Sequence, residues 1–391
     1  MKKIIFCIQS MVCGGVEKEL ITILKRFDSM KYDITVLVLY IEDHKIISEL
    51  PSNVHLYNLG LDKNYYCSST ANMVRERIKK GKIKEAVSLA VKRVLKIGVS
   101  EANMSLDGCP SPKETFDIAV CYHIHSPFMF RFVGTSITAN KKIAWIHSDF
   151  RTTKYPIDRM MDYACLYDTF VAVSCKVAEE FKDLCPKYSN KISVVHNIID
   201  GEEILRKAEM VPQNDEYFKY SGTKILTVGR FSKEKGIDRA ILVCNLLKNT
   251  YHLDFRWYLV GWGDEELLYR ELIKKYGLEN DFIILGRKDN PYPYIASCDI
   301  YCQTSISEAY SMTILEAMQL CRPIICTDFD GADEQVKNGE TGIIVPNNDL
   351  MLLCDKLKNM INDSLLREKL SNNLKTDSGF ENDWKKIISF F

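Results

Sequence analysis

A chain of 391 residues, 46% of them hydrophobic, holds material for two cores of ordinary size. Lys+Arg and Asp+Glu both number 52, so the overall cationic field expected of a nucleic-acid-binding protein is absent. The 14 cysteines form no Cys-x-x-Cys pair and the seven histidines do not fall at zinc-finger spacing, which points to free thiols in a reducing cytosol rather than to disulfides or a zinc ribbon.

The first apolar run, Ile4 to Ile8, follows Met1-Lys-Lys but stops at Gln9. It is too short for the apolar region of a secretion signal and reads as a buried first strand. Further strands are expected at Asp33–Tyr40, His55–Leu59, Asp117–His123, Lys142–His147, Phe170–Ser174 and Ile192–His196. Several are continuous Val/Ile/Leu/Phe runs, the pattern of parallel strands covered on both faces. No run approaches the length of a membrane span. Two strand ends in this half carry polar residues. Cys13-Gly-Gly-Val16 precedes a helix expected to begin near Glu17, and its glycines would let backbone approach a ligand; an idle turn would look the same. Trp145-Ile-His-Ser-Asp149 places His147 and Asp149 at a strand end, where the histidine could donate to a phosphate or sugar hydroxyl or be purely structural. His123-x-His125 lacks a third metal ligand in the sequence.

Between these strands, Arg75–Lys96 carries nine Lys/Arg against two Glu, with Ile78, Ile83, Val87, Val91 and Leu95 interleaved. A basic amphipathic helix of this kind suits an anionic membrane surface, and equally a solvated helix face.

The alternation resumes with strands expected at Lys224–Gly229, Phe255–Gly261, Phe282–Gly286, Asp299–Thr304, Pro323–Thr327 and Gly342–Val345, and helices at Ile237–Leu247, Glu265–Tyr276 and Met312–Leu320. Two doubly wound α/β domains follow, with the seam near Asn197–Glu202. In such sheets ligands bind beyond the carboxyl ends of the strands. At the first of these ends, Gly229 and Arg230 leave the strand and Lys235 precedes a helix. Two cations around a Gly-punctuated turn suit a diphosphate, although ordinary surface turns carry such residues too. Gly261, in Leu-Val-Gly-Trp-Gly, resembles a clipped dinucleotide fingerprint or a tight turn. Gly286 and Arg287 form a loop that could hold a base through backbone groups. Glu308 and Glu316 sit eight residues apart around the start of the helix at Met312, so that the backbone of Tyr310, Ser311 and Met312 offers N–H groups to an anion. Glu316, about two turns into the helix at most, would reach the sugar beside a bound phosphate. Asp328-x-Asp330, between a strand and Gly331, reads as a turn rather than a metal site.

The ordered set Gly14-Gly15, Arg230/Lys235, Glu308-x7-Glu316 and Thr341-Gly-Ile-Ile-Val-Pro346 resembles the family-4 retaining glycosyltransferases (glycosyl transferases group 1) of GT-B fold. The resemblance implies two Rossmann-like domains facing a cleft. Residues 1–199 would bind the acceptor and 200–377 the nucleotide sugar, with a last helix, 378–391, returning to the first domain. It implies that Arg230 and Lys235 bind the donor diphosphate, Glu316 the ribose, Glu308 the transferred sugar and Tyr310–Met312 the phosphate. Gly15 would give the phosphate room, and His147 would act near the reacting centre. The chain departs from the family at Ala309-Tyr310-Ser311, Cys321-Arg322 and Asp330-Gly331.

With no carboxylate placed as a covalent nucleophile, a same-face displacement is implied, assisted by the leaving diphosphate. The function expected is a retaining transferase moving a sugar from a UDP-sugar to a glycan, lipid-linked, in cell-surface polysaccharide or lipopolysaccharide synthesis. It would work in the cytoplasm or at the inner membrane face, without a metal cofactor and without nucleic acid. Two rivals share these residues: a nucleotide-sugar epimerase of GT-B fold, and a non-catalytic glycosyltransferase paralogue acting as a binding partner.

Overall fold

The computed structural model describes residues 1–12, 14–61, 74–75, 78–79, 81–94, 109–122, 124, 127–150, 157–375 and 381–391. His123, His125 and all of 62–73, 95–108 and 151–156 lie outside them, as does much of the basic segment around its helix Ile83–Val94. The chain divides into two compact units. One comprises Met1–Val173, Val177–Val195 and Phe390–Phe391; the other comprises Ser174–Lys176 and His196–Ser389.

The first unit is built on seven strands: β1 (Lys2–Met11), β2 (Tyr32–Ile41), β3 (Val54–Asn58), β4 (Phe116–Cys121), β5 (Ala139–Ile146), β6 (Thr169–Ala172) and β7 (Ile192–Val194). They run parallel in the order β3-β2-β1-β4-β5-β6-β7. Central β1 buries Ile4 to Ile8 completely, as a strand covered on both faces must. The chain's last residues belong to this unit. Lys141 Nζ donates to Phe390 O at 2.9 Å, and the Phe391 ring lies 5.6 Å from Phe6 and 5.1 Å from Phe27. The helix before them, Glu381–Ser389, groups with the second unit.

The second unit holds β8 (Lys224–Val228), β9 (Arg256–Val260), β10 (Phe282–Gly286), β11 (Ile300–Gln303), β12 (Ile324–Thr327) and β13 (Gly342–Val345). All are parallel, in the order β10-β9-β8-β11-β12-β13. Two apolar layers sandwich this sheet. One gathers Trp257, Ile237, Ile241, Leu353 and Leu357; the other gathers Tyr217, Tyr258, Tyr301, Ile314 and Leu315. In each sheet the winding direction reverses between two central neighbours, β1/β4 and β8/β11. The crevice beyond such a reversal is where doubly wound sheets hold ligands.

Local structure departs from the sequence expectations in a few places. The helix expected near Glu17 starts at Gly15, behind an extended Gly14. The helix from Ile237 ends at Asn245 and passes into a π turn, Leu246–Thr250. A short helix without a counterpart in the sequence reading, Glu216–Lys219, precedes the second sheet, capped by Asp215 and anchored by fully buried Tyr217. No helix among the described residues is long and apolar enough to cross a membrane.

Candidate active site

The β8/β11 reversal brings Lys235 and Glu308 together. Lys235 ends a short 3-10 turn, Lys233–Lys235, after β8; Glu308 lies in the loop after β11. The Lys235 ammonium donates to Glu308 Oε1 in a half-buried ion pair. The same oxygen accepts from Gln303 Nε2 at 2.6 Å and Ser305 Oγ at 2.9 Å. Arg230 is exposed one residue past Gly229. Around this pair lies a polar cluster that the sequence reading missed. Gln303, the last residue of β11 and 3% exposed, also donates to Ser311 Oγ at 2.9 Å and accepts from Thr313 Oγ1 at 2.9 Å. A glutamine ending an apolar strand has no periodicity signal of its own; its role appears only once β11 delivers it between two loops.

The loop from Thr304 to Ser311 is braced along its length. Thr327 donates to Ser305 O at 2.6 Å, Asn347 Nδ2 to Ile306 O at 2.7 Å, and Ile306 N to Glu234 O at 2.7 Å. At its end Gln335 clasps both sides of Ser311, accepting the Ser311 N–H and donating to Ser311 O, each at 2.8 Å. Ser311 then caps the helix Met312–Gln319, its Oγ accepting from Ile314 N at 3.4 Å. Polar groups fixed in this way lose little freedom when they meet a charged ligand, and a helix N-terminus favours an anion.

Glu316 is the fifth residue of that helix, one turn in. It is 4% exposed, and Tyr292 OH donates to its Oε1 at 3.2 Å. At the adjoining strand ends, Gly261 N donates to Gly286 O and Gly229 N to Val260 O, both at 3.0 Å. Gly261 has φ +151°, and a Cβ there would stand 1.8 Å from Gly229 O, so only glycine lets the β8 and β9 ends approach this closely. Arg287 follows Gly286 with its guanidinium 4.7 Å from the centre of the exposed Trp262 ring. Asp328–Gly331 is a turn, with Asp328 N bonded to Val345 O at 2.8 Å.

In the first unit, His147 and Asp149 follow β5 and are both buried. Glu19, on the helix Gly15–Arg26 and fully buried, brings Oε2 to 3.5 Å from His147 Nδ1. The imidazole also lies 4.6 Å from the Tyr122 ring and stacks on Trp145 at 6.1 Å. Burial, and after it the negative charge of Glu19, pushes the Tyr122 phenol well above its ordinary pKa. Glu19 was not read from the sequence, although a carboxylate between Lys18 and Leu20-Ile21 on an amphipathic helix was its available signal.

A second charged cluster in the second unit centres on His196. Its Nε2 lies 2.9 Å from Glu334 Oε2 and its Nδ1 lies 3.2 Å from Asp383 Oδ2. These bonds, to Asp383 and then Glu334, outweigh burial and push its pKa up to about 9. Burial would raise the Glu334 carboxyl, but hydrogen bonds from His196, Cys175 and Lys176 hold it down to about 2. Cys175, His196 and Glu334 each set one ligand atom within 4.8 Å of the others. Both ring nitrogens of His196 already face carboxylates, so here the imidazolium supplies the cation.

Residues 214–377, which hold the whole β8–β13 site, match the family model described as Glycosyl transferases group 1. Part of the chain is 32% identical over 202 residues to the N-acetylgalactosamine-N,N'-diacetylbacillosaminyl-diphospho-undecaprenol 4-alpha-N-acetylgalactosaminyltransferase of Campylobacter jejuni, covering 50% of this chain and 52% of that protein. It is 27% identical over 223 residues to the N-acetyl-alpha-D-glucosaminyl L-malate synthase of Bacillus anthracis, covering 57% and 58%. The chain thus spans little more than half the length of the curated relatives it matches. Among solved structures, Anabaena HepE in complex with UDP-glucose superposes with a TM-score of 0.72 at 16% identity, covering 100% of both chains. That likeness defines the fold as GT-B, built from two parallel-sheet α/β domains.

Proposed function

We propose that this chain is a group 1 glycosyltransferase that moves a sugar from a UDP-sugar to a glycan acceptor with retention of configuration. The observation that carries the reading is the Lys235–Glu308 pair, set at the β8/β11 reversal on a loop braced at Ser305, Ile306 and Ser311. The match of residues 214–377 to the family supports it. UDP-glucose in HepE supports a uridine nucleotide, and the undecaprenol-linked substrate in the name of the C. jejuni relative supports a lipid-linked acceptor for cell-surface polysaccharide.

In this reading the donor diphosphate lies against Arg230, Lys235 and the N–H groups of Tyr310 and Met312, while the Ser311 N–H between them is held by Gln335 and shapes the loop. Glu308 contacts the transferred sugar, Glu316 the ribose, and Gly261, Gly286 and Arg287 border the base. Gly15 and His147 serve the first domain's side of the reaction. As the sugar–phosphate bond breaks, negative charge grows on the diphosphate. Arg230, Lys235 and the positive end of the helix Met312–Gln319 stabilise it without a resident metal. The diphosphate oxygen accepts the acceptor's hydroxyl proton on the face it leaves, so no protein nucleophile is required. Membrane contact is proposed through the helix Ile83–Val94, on which Ile83, Val87 and Val91 form an exposed stripe beside Lys82 and Lys84. Apolar residues beside cations suit an anionic bilayer surface.

The test is nucleotide release from UDP-, GDP- and ADP-sugars, with EDTA, in the presence and absence of a lipid-linked glycan extract. Extract-dependent release from a UDP-sugar, abolished in Glu308→Ala, is expected. Turnover of the donor without any extract would overturn the transferase reading in favour of an epimerase.

A further inference from the structure

The cluster around His196 lies outside the residues assigned to the donor, yet it touches their loop. The His196 ring stacks on the ring of Tyr310 with centroids 4.9 Å apart and planes 20° apart. The next residue, Asn197, donates from Nδ2 to Tyr310 O at 3.2 Å. Glu334, which holds the His196 ring through Nε2, directly precedes Gln335, which holds Ser311 by both its N–H and its carbonyl. Asp383, from the helix Glu381–Ser389, fixes the other ring nitrogen. Glu334 is itself anchored by the backbone N–H groups of Cys175 at 2.8 Å and Lys176 at 3.3 Å. All of these groups belong to the second unit.

We infer that His196 and Asn197 are positioning residues that fix the backbone of Tyr310 and Ser311 where the donor phosphates are read, with Glu334 and Asp383 holding the histidine in place. The inference rests on the proposed donor site. A peptide's N–H direction is set by its two flanking torsions. Asn197 holds the Tyr310 carbonyl and Gln335 the Ser311 carbonyl, whose peptide plane carries the Met312 N–H, while the His196 ring stops the Tyr310 side chain from rotating. With a carboxylate at each ring nitrogen, the ring donates at both and has one orientation rather than two. The loop needs no ligand to find its shape, and that preorganisation lowers the cost of binding an anion. It also ties the last helix to the donor loop through Asp383 and one imidazole.

The predicted signature is selectivity for phosphate. Uridine and UDP share the base and ribose, but only UDP meets the Tyr310–Met312 backbone. His196→Ala is expected to weaken UDP binding by about tenfold while leaving uridine binding within about twofold, measured by calorimetric titration. Tyr310→Leu removes the stack without touching either carboxylate and keeps the test open should His196→Ala fail to fold. It should show the same selective loss, and the double variant should be no worse than either single one, because both changes remove one interaction. Equal losses for UDP and uridine, or unchanged UDP binding in both folded variants, would overturn the inference while leaving the donor site standing. A parent protein that binds no nucleoside diphosphate would sink the donor site as well.

Discussion

Replacing Gln303 by methionine tests whether the buried polar cluster is what holds the site together. Methionine nearly matches glutamine in length and volume, so no cavity is opened, and what is lost is polar. The bond from Nε2 to Glu308 at 2.6 Å is charge-assisted, and the bonds with Ser311 Oγ and Thr313 Oγ1, both 2.9 Å, are neutral. A hydrogen bond to a charged group contributes about 1.5–3 kcal/mol and a neutral one about 0.5–1.5 kcal/mol. Glu308 keeps Ser305 and Lys235, and Ser311 keeps Gln335, so the losses do not add fully. A net destabilisation of about 3 kcal/mol follows, or a melting shift of about 6–12 °C for a domain of this size. Scanning calorimetry would read it on the second unit, with the first unit as the internal reference. A shift below about 2 °C would mean that water satisfies Glu308 and Thr313 as well as Gln303 does, and would refute the reasoning.

Lys235→Met should lower acceptor-dependent turnover by about 10²–10³, equivalent to about 2.7–4 kcal/mol of lost charge stabilisation; a loss below about tenfold in single-turnover measurements would remove Lys235 from the mechanism. Gly261→Ala drives a Cβ into Gly229 O at 1.8 Å, whereas Gly277→Ala, at φ +65°, meets nothing within 4 Å. Urea midpoints should therefore place the first change about 3 kcal/mol below the parent and the second about 1 kcal/mol below it, and equal losses would deny the close approach of β8 and β9. The groups facing His196 are Glu334, Asp383 with its neighbour Lys386, and Tyr310, with Cys175 on the far side of Glu334. Its folded pKa of about 9 lies above the ordinary 6.5, so the stability it contributes is complete below pH 6.5 and is lost as pH rises through about 9. His196→Gln should flatten the melting temperature over that alkaline interval, and an unchanged slope would show that another group titrates there.

The strands were legible because parallel strands covered on both faces are written as unbroken apolar runs. The ends of β10 and β13 fall where the sequence places them. Boundaries that depend on tertiary context were not legible. Gly15 is a weak helix former, yet it opens a helix because Gly14 supplies the extended turn before it, and Asn245 yields to a π turn that no 3.6-residue pattern announces. The site divides in the same way. Lys235 and Glu308 stand out as charges at strand ends, but their pairing depends on β8 and β11 lying side by side. Gln303, Thr327 and Gln335 are ordinary polar residues until the sheet delivers them to one loop. Glu19 and His147 are 128 positions apart in sequence and become partners only across a folded layer.

The strand order also dictates when the site can form. Within the second sheet β8 meets β9 early: Trp257 bonds Thr227 across 30 residues. The β8/β11 seam that carries Lys235 and Glu308 closes across 75 residues, from Lys224 to Asp299. Loop closure over the longer distance costs more entropy and comes later. On the ribosome, β8 would therefore wait with one flank unpaired until β11 has emerged. Slow translation or a destabilised β11 would expose that flank to other chains before Lys235 and Glu308 could meet. Variants in β11 should thus be judged by yield of soluble protein as well as by activity, because the seam that builds the site closes over the longest stretch of chain in its sheet.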